Sequence, residues 1–256
     1  MLLIEVFLIL LILNIFLTFF FRKFLGVTGT FYWSVFVFII SFIVLLMEWY
    51  NIHILNQYTY LNLGNYFFLF ELIDLNLTFF FDNLSVTSAL LVNLLTLLAY
   101  LFGIEYMYKE LFNQKLIYLL NMFATSVILL FISYDFFLII ICWELIGLFS
   151  LLLVNFYSQR SFTNKASIKT FIFSRISDTF LFIFFISLIL IFNTTDLNII
   201  FLQLPYYMFY TINVNFFEIH YLSFLAFNLT MASAIKAAQI GFHIWLPDAM
   251  EAPTTA

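Results

Sequence analysis

Seven apolar runs follow one another along the chain, at residues 2–21, 30–47, 84–102, 116–134, 136–157, 168–192 and 219–246. Each is close to the roughly 20 residues that a helix needs to cross a bilayer. A soluble fold of 256 residues with only 9% charged side chains would leave far too much apolar surface in water. The runs therefore predict an all-α membrane protein of about seven transmembrane helices. Between the second and third runs, residues 73–79 alternate with period two, which predicts a short strand at the surface. Residues 193–218, with Leu204-Pro205-Tyr206-Tyr207, read as an interfacial loop or short helix.

The charges sort by loop. Arg22 and Lys23 fall after the first run, Lys109 and Lys115 after the third, and Arg160, Lys165 and Lys169 in or beside the fifth loop. The second, fourth and sixth loops carry no Lys or Arg and hold Glu48, Glu71, Asp74, Asp82, Asp135, Asp196 and Glu218 instead. Basic loops stay on the cytoplasmic or matrix side, so the N-terminus is expected on the opposite, outer side. The chain divides into residues 1–110, holding three helices and the strand-containing external loop, and residues 111–256, holding the remaining four.

Several chemistries are not signalled. Cys142 is the only cysteine, so no intramolecular disulfide, CxxC pair or four-thiolate cluster is possible within the chain. His53, His220 and His243 are scattered, and no GxGxxG or GxxxxGK[ST] loop occurs. Few charges and a net charge of −5 make no case for nucleic-acid binding. No cofactor or metal is expected on this chain. The N-terminus enters an apolar run directly, with no features of a cleaved leader. Its 39 Phe and 15 Tyr suggest an AT-rich coding sequence of the kind many mitochondrial genomes have.

Two of the nine basic residues, Arg175 and Lys236, lie inside apolar runs together with Glu144 and Asp178. A charge at a helix centre costs roughly 2.5–3.5 kcal/mol on insertion scales, so each needs a partner or water. Glu144 and Lys236 stand near the midpoints of the fifth and seventh runs and are expected to pair. Burial and the opposite charge act oppositely on such a pair, so separating it loads or releases a proton. The reading favours a proton relay over a static lock between helices, because intramembrane charges default to function. Arg175 and Asp178, three apart, share a helical face and read first as a local ion pair. His243, seven residues after Lys236, returns to nearly the same face of a continuous helix and is either a proton carrier or an interfacial histidine. Lys169 is an orientation anchor with a weaker claim as a carrier. Gly241 and Pro247 predict that the seventh helix is discontinuous, which at membrane depth requires cover by protein or a water-filled cavity.

These residues fall in stretches that resemble a known family. Residues 236–254, from Lys236-Ala237-Ala238-Gln239 through His243-Ile244-Trp245-Leu246-Pro247-Asp248-Ala249-Met250-Glu251, are similar to K-x-A-Q-x-x-x-H-x-W-L-P-D-A-M-E-G-P-T, with Ala252 in place of Gly. Trp143-Glu144-x-x-Gly147-x-x-Ser150-x-Leu152 is similar to W-E-x-x-G-x-x-S-Y-L, with Leu151 in place of Tyr. Asn164-Lys165-Ala166-x-x-Lys169 and Arg175-x-x-Asp178 resemble the entry to the sixth helix, with Ser174 and Ser177 for Asn and Gly, and Asp82-x-Leu84-Ser85 the start of the third. The family is that of the antiporter-like membrane subunits, which includes subunit 5 of mitochondrial complex I (NADH:ubiquinone oxidoreductase) and subunits of multisubunit Na⁺/H⁺ antiporters.

The resemblance implies a proton-pumping membrane-arm subunit of the mitochondrial inner membrane, encoded in the mitochondrion. Glu144 and Lys236 would be its intramembrane pair, Asp178 and His243 secondary relay positions, and Arg175 and Lys169 supporting ones. Flavin, iron–sulfur clusters and ubiquinone would reside on partner subunits. Other membrane-arm subunits and lipids are the expected partners. The family continues beyond the seventh helix, so a second polypeptide carrying the remaining helices is expected in preference to a truncated or degenerate subunit. A cation/proton antiporter subunit and a purely structural membrane-arm component remain the competing readings.

Overall fold

The computed structural model describes residues 2–69, 73–107, 110, 112–214 and 217–253. The long helices are α1 (Leu2–Phe20), α2 (Arg22–Leu55), α3 (Asn83–Tyr106), α4 (Asn113–Ile132), α5 (Phe136–Val154) and α6 (Ser161–Phe192). They are followed by α7 (Leu197–Gln203), a 3₁₀ turn (Leu204–Tyr207), α8 (Tyr221–Lys236) and α9 (Trp245–Ala249). Two antiparallel hairpins complete the chain, β1 (Thr59–Leu69) with β2 (Ile73–Phe81), and β3 (Thr211–Val214) with β4 (Phe217–His220). Among the described residues, six helices, α1 to α6, are long and apolar enough to cross a membrane.

The seventh expected run is not one helix. α8 holds 16 residues and stops at Lys236, and α9 resumes at Trp245. The break comes earlier than Gly241 and Pro247 predict. Ala238 adopts a left-handed φ of 52°, its N–H reaches Ile235 O and the Gln239 N–H reaches Ala234 O. This is a Schellman cap, in which the 6→1 and 5→2 hydrogen bonds satisfy carbonyls the helix leaves open. An alanine stands where glycine is favoured.

Other bounds shift for legible reasons. α6 begins seven residues before its apolar run, because Lys165 and Lys169 can sit at its polar end with their heads in water. α2 also starts early, with a kink at Gly26 (φ 69°) separating Arg22–Lys23 from the long helix. The expected strand at 73–79 is present as part of β2, and its partner β1 is an addition, with Thr59 opposite Phe81. Residues 193–218 form α7, the 3₁₀ turn and most of the second hairpin. Asp82 begins α3 as a capping box, accepting from Ser85 N (2.7 Å) while Ser85 Oγ accepts from Asp82 N (2.8 Å).

The two ends of the bundle differ. At one end, the Gln114 amide donates to Arg22 O, Lys115 lies over the Phe156 ring and Arg160 over the Tyr157 ring. Lys109 and Glu71 lie outside the described residues. At the other end, the hairpins and Asp82, Asp135 and Asp196 gather, tied by backbone bonds Tyr134 N–Thr78 O (2.9 Å), Phe136 N–Thr195 O (3.0 Å) and Leu197 N–Tyr134 O (3.4 Å). The Asp135 side chain accepts from Phe137 N at the start of α5 and from Thr195 Oγ1.

The largest apolar core, including Phe7, Phe38, Leu45, Val86 and Ile117, joins α1 to α4. A polar hub sits inside it. Asn121 on α4 accepts from the Asn14 amide (3.0 Å) and the Tyr100 hydroxyl, and donates to Thr18 Oγ1 (3.3 Å) and Ser34 Oγ (3.2 Å). All four helices thus meet at one amide. A smaller cluster of Ile140, Leu181 and Ala232 packs α5, α6 and α8 together and frames the intramembrane charges.

Candidate functional site

Three helices bring the charges together. Asp135 caps α5, fixing where that helix begins, and Glu144 follows more than two turns later on the segment that faces α6. Arg175 and Asp178 share one face of α6. Lys236 is the last residue of α8, where the negative end of the helix dipole favours a cation. Ser177 Oγ donates to Ala232 O (2.8 Å) and so holds α6 against α8 at this level.

The side chains form a chain of alternating sign. Arg175 Nη1 lies 3.5 Å from Glu144 Oε2 and 3.4 Å from Asp178 Oδ2, and Lys236 Nζ lies 3.9 Å from Asp178 Oδ1. The Arg175–Asp178 contact is the local pair that their spacing predicts. Glu144 and Lys236 share the cluster, but they are linked through Arg175 and Asp178 and not by a direct contact within 4 Å. The alternation matters because like charges never stand adjacent and the four sum to zero, which keeps burial tolerable. Asp178 is the most enclosed member, with 4% of its side chain exposed against 35% for Glu144.

Two features escaped the sequence reading. Lys236 Nζ donates to Trp143 O (3.0 Å) and sits 5.3 Å from the centroid of the Trp143 ring. Residue 147 is the helical partner of that carbonyl, and it is a glycine: a Cβ there would lie 2.9 Å from Lys236 Nζ. The absent side chain opens the flank of the carbonyl to the ammonium. The W-E-x-x-G spacing held this signal, but only the approach of α8 gives it meaning. Replacing Gly147 with valine is expected to displace Lys236 from Trp143 O, at a cost of about 1.5–3 kcal/mol for the lost charged hydrogen bond, read in the thermal midpoint of the protein.

The other candidates lie elsewhere. Lys169 pairs with Asp248 of α9 at 2.6 Å, a partner the sequence reading did not single out. His243 is exposed within the turn between α8 and α9. The helix ends at Lys236, so the seven-residue spacing does not put the two on a common helical face. A cavity of about 200 Å³ adjoins Lys236 and is lined by Ser150, Thr170, Ser174, Ile235 and Trp245 among others. Ser174, unexpected in the sixth-helix pattern, supplies one of its hydroxyls. Among the described residues no three His, Cys, Asp or Glu side chains converge as metal ligands.

Comparison with known proteins places this geometry. Residues 133–256 match the family model described as NADH:quinone oxidoreductase/Mrp antiporter, TM, and residues 67–114 match that of NADH-ubiquinone oxidoreductase (complex I), chain 5 N-terminus. NADH-ubiquinone oxidoreductase chain 5 of Mycosarcoma maydis is 31% identical over 231 residues, covering 90% of this chain and 33% of that protein. The chain 5 of Marchantia polymorpha is 31% identical over 240 residues, 92% of this chain and 35% of that protein. That of Nyctotherus ovalis is 38% identical over 178 residues, 69% of this chain and 10% of that protein. The chain thus spans about a third or less of the length of these relatives. With one family model falling on the helices that build the charge cluster and the other on the first hairpin and α3, the chain belongs to the complex I subunit 5 family of antiporter-like membrane proteins, of which it represents an N-terminal portion.

Proposed function

We propose that this chain is the N-terminal part of a proton-translocating membrane-arm subunit of respiratory complex I in the mitochondrial inner membrane. The observation that carries the reading is the four-residue chain from Glu144 through Arg175 and Asp178 to Lys236, which ends on a cavity to which Ser150, Thr170 and Ser174 contribute hydroxyls. Protonating Glu144 removes one of the two anions that Arg175 touches. Arg175 then leans on Asp178, the hold of Asp178 on Lys236 weakens, and Lys236 is free to give its proton to the cavity. Reversing the sequence reloads the site. Each step changes only the neighbouring contact, so charge shifts across three helices without any group crossing the membrane. His243 and Lys169, toward the basic end, are the candidate continuation of the path.

On this reading the basic end faces the matrix, as the distribution of Arg and Lys requires. Flavin, iron–sulfur clusters and ubiquinone reside on partner subunits, and the gene is mitochondrial. Redox energy reaches the cluster through neighbouring membrane-arm subunits. Replacing Glu144 with glutamine in the assembled complex is expected to lower the proton-to-electron ratio while NADH oxidation persists. An unchanged ratio overturns the proposal. The description of the 133–256 match also names an antiporter, and Na⁺ transport in membranes without an NADH-oxidising partner would favour that second reading.

A further inference from the structure

The ion pair between Lys169 and Asp248 stands apart from the charge chain, yet it joins the two walls of the cavity beside Lys236. Lys169 adjoins Thr170, which lines the α6 wall, and Asp248 follows Trp245, which lines the opposite wall, by one turn of α9. At 2.6 Å it is the shortest ion pair among the described residues. Both partners are partly exposed, 37% and 43% of their side chains, on the side of the cavity toward the basic end of the bundle. We propose that Lys169 and Asp248 form a latch that closes the basic end of the Lys236 cavity, with the turn between α8 and α9 as its hinge.

The hinge has the features a moving joint needs. α8 ends at Lys236, and Ala238 and Gly241 both take positive φ, 52° and 96°. Ile240 between them is 97% exposed, so the turn makes little packing of its own. Apart from the latch, α9 is tied back by the Trp245 indole N–H, which donates to Ile235 O at 3.3 Å. Among the described residues the polar side-chain ties of α9 are therefore one long hydrogen bond at the α8 side and one short ion pair at the α6 side. A partly exposed ion pair is weak and screened by salt, which suits a contact that opens and closes.

The cavity behind the latch is chemically suited to water. Ser150, Thr170 and Ser174 each donate their hydroxyl to a carbonyl of their own helix, Gly147 O, Ser167 O and Phe171 O. Their oxygens keep lone pairs as acceptors for water or for the Lys236 ammonium. A volume of about 200 Å³ has room for several waters, and the three hydroxyls and Lys236 form its polar patch among the apolar Phe123, Ile146 and Ile235. Opening the latch connects Lys236 to solvent at the basic end; closing it cuts that route to Lys236. The consequence for pumping rests on the relay reading above, but the latch itself is a statement about access.

Access is measured directly. In the assembled complex, with Cys142→Ala removing the native thiol, Thr170→Cys places a reporter on the cavity wall for a small membrane-impermeant thiol reagent applied from the basic-end side. Adding Asp248→Asn or Lys169→Met is expected to raise the labelling rate roughly two- to fivefold, the range set by the coupling of an exposed pair. The swap Lys169→Asp with Asp248→Lys restores the pair and is expected to return labelling to the slow parental rate. Unchanged labelling in both single variants, in complexes assembled to parental levels, overturns the latch. Where a single variant fails to assemble, the swap decides: slow labelling supports the latch and fast labelling overturns it. Should Glu144→Gln leave the proton ratio intact while labelling responds as expected, the relay reading fails and the latch stands.

Discussion

Asp178→Ala is expected to destabilise the bundle by about 3–5 kcal/mol, the usual cost of leaving a buried charge without its counter-ion. Asp178 is the member of the cluster that touches two cations, Arg175 at 3.4 Å and Lys236 at 3.9 Å, and its carboxylate is nearly closed off from the surface. Removing it leaves the Lys236 ammonium with a carbonyl and a ring but no anion among its close contacts. Glu144→Ala is expected to cost no more than about 1 kcal/mol, because Glu144 is far more exposed and Arg175 retains Asp178. The difference is read in the thermal midpoint of the purified complex and in the amount that assembles. Adding Lys236→Met to Asp178→Ala is expected to recover most of the stability, because the uncompensated cation is then gone. Equal destabilisation by Asp178→Ala and Glu144→Ala would show that Asp178 is not the electrostatic centre of the cluster.

The second large effect lies away from the charges. Asn121→Leu is expected to cost about 2–4 kcal/mol by orphaning the Asn14 amide and the Tyr100 hydroxyl, both fully enclosed. Thr18 and Ser34 suffer less, since each also donates to a carbonyl of its own helix, Asn14 O and Thr30 O. Interhelical hydrogen bonds in membranes are individually modest, so the size of the effect rests on several failing together. Among apolar helices that lipid solvates as well as they solvate one another, such a hub specifies which faces of α1 to α4 meet. The check is assembly level and thermal midpoint of the Asn121→Leu protein, with Asn14→Leu added. The double variant removes one orphan and should regain part of the loss; a single variant within about 0.5 kcal/mol of the parent would deny the hub its role.

Much of this was legible in the residues. Apolar run length marks the long helices because hydrocarbon thickness sets it, and loop charges segregate because the bilayer sorts them. The four intramembrane charges stand out against their surroundings for the same reason. Lateral arrangement is another matter. That Glu144 reaches Lys236 by way of Arg175 and Asp178 depends on where α6 lies between α5 and α8, and depth along each helix carries no record of that. The end of α8 was hidden for a different reason. Alanine is the best helix former, so nothing at Ala238 announces a left-handed cap; the break follows from how residues 234–239 close on themselves. β1 was missed because its irregular register with β2 interrupts the simple alternation between Asn62 and Phe67.

The backbone ties at the hairpin end have a mechanical consequence. α6 is fastened there at its C-terminus, through Thr195 and Leu197, to the junction of α4 and α5. At the basic end α6 follows α5 through the short turn at residues 155–160, where Arg160 N donates to Tyr157 O and Asn164 N to Arg160 O. Measured from the hairpin end, a tilt of α6 displaces each residue in proportion to its distance. Lys169 lies about 35 Å from the fastened end and Asp178 about 21 Å, at 1.5 Å per residue. A rigid tilt of about 3° therefore moves Lys169 by roughly 1.8 Å but Asp178 by only about 1.1 Å on the same helical geometry. Added to the resting contacts, these displacements take Lys169–Asp248 from 2.6 Å to about 4.4 Å and Lys236–Asp178 from 3.9 Å to about 5.0 Å, so both pass out of ion-pair reach. One small rotation of α6 therefore loosens the outer ion pair and the inner charge contact together.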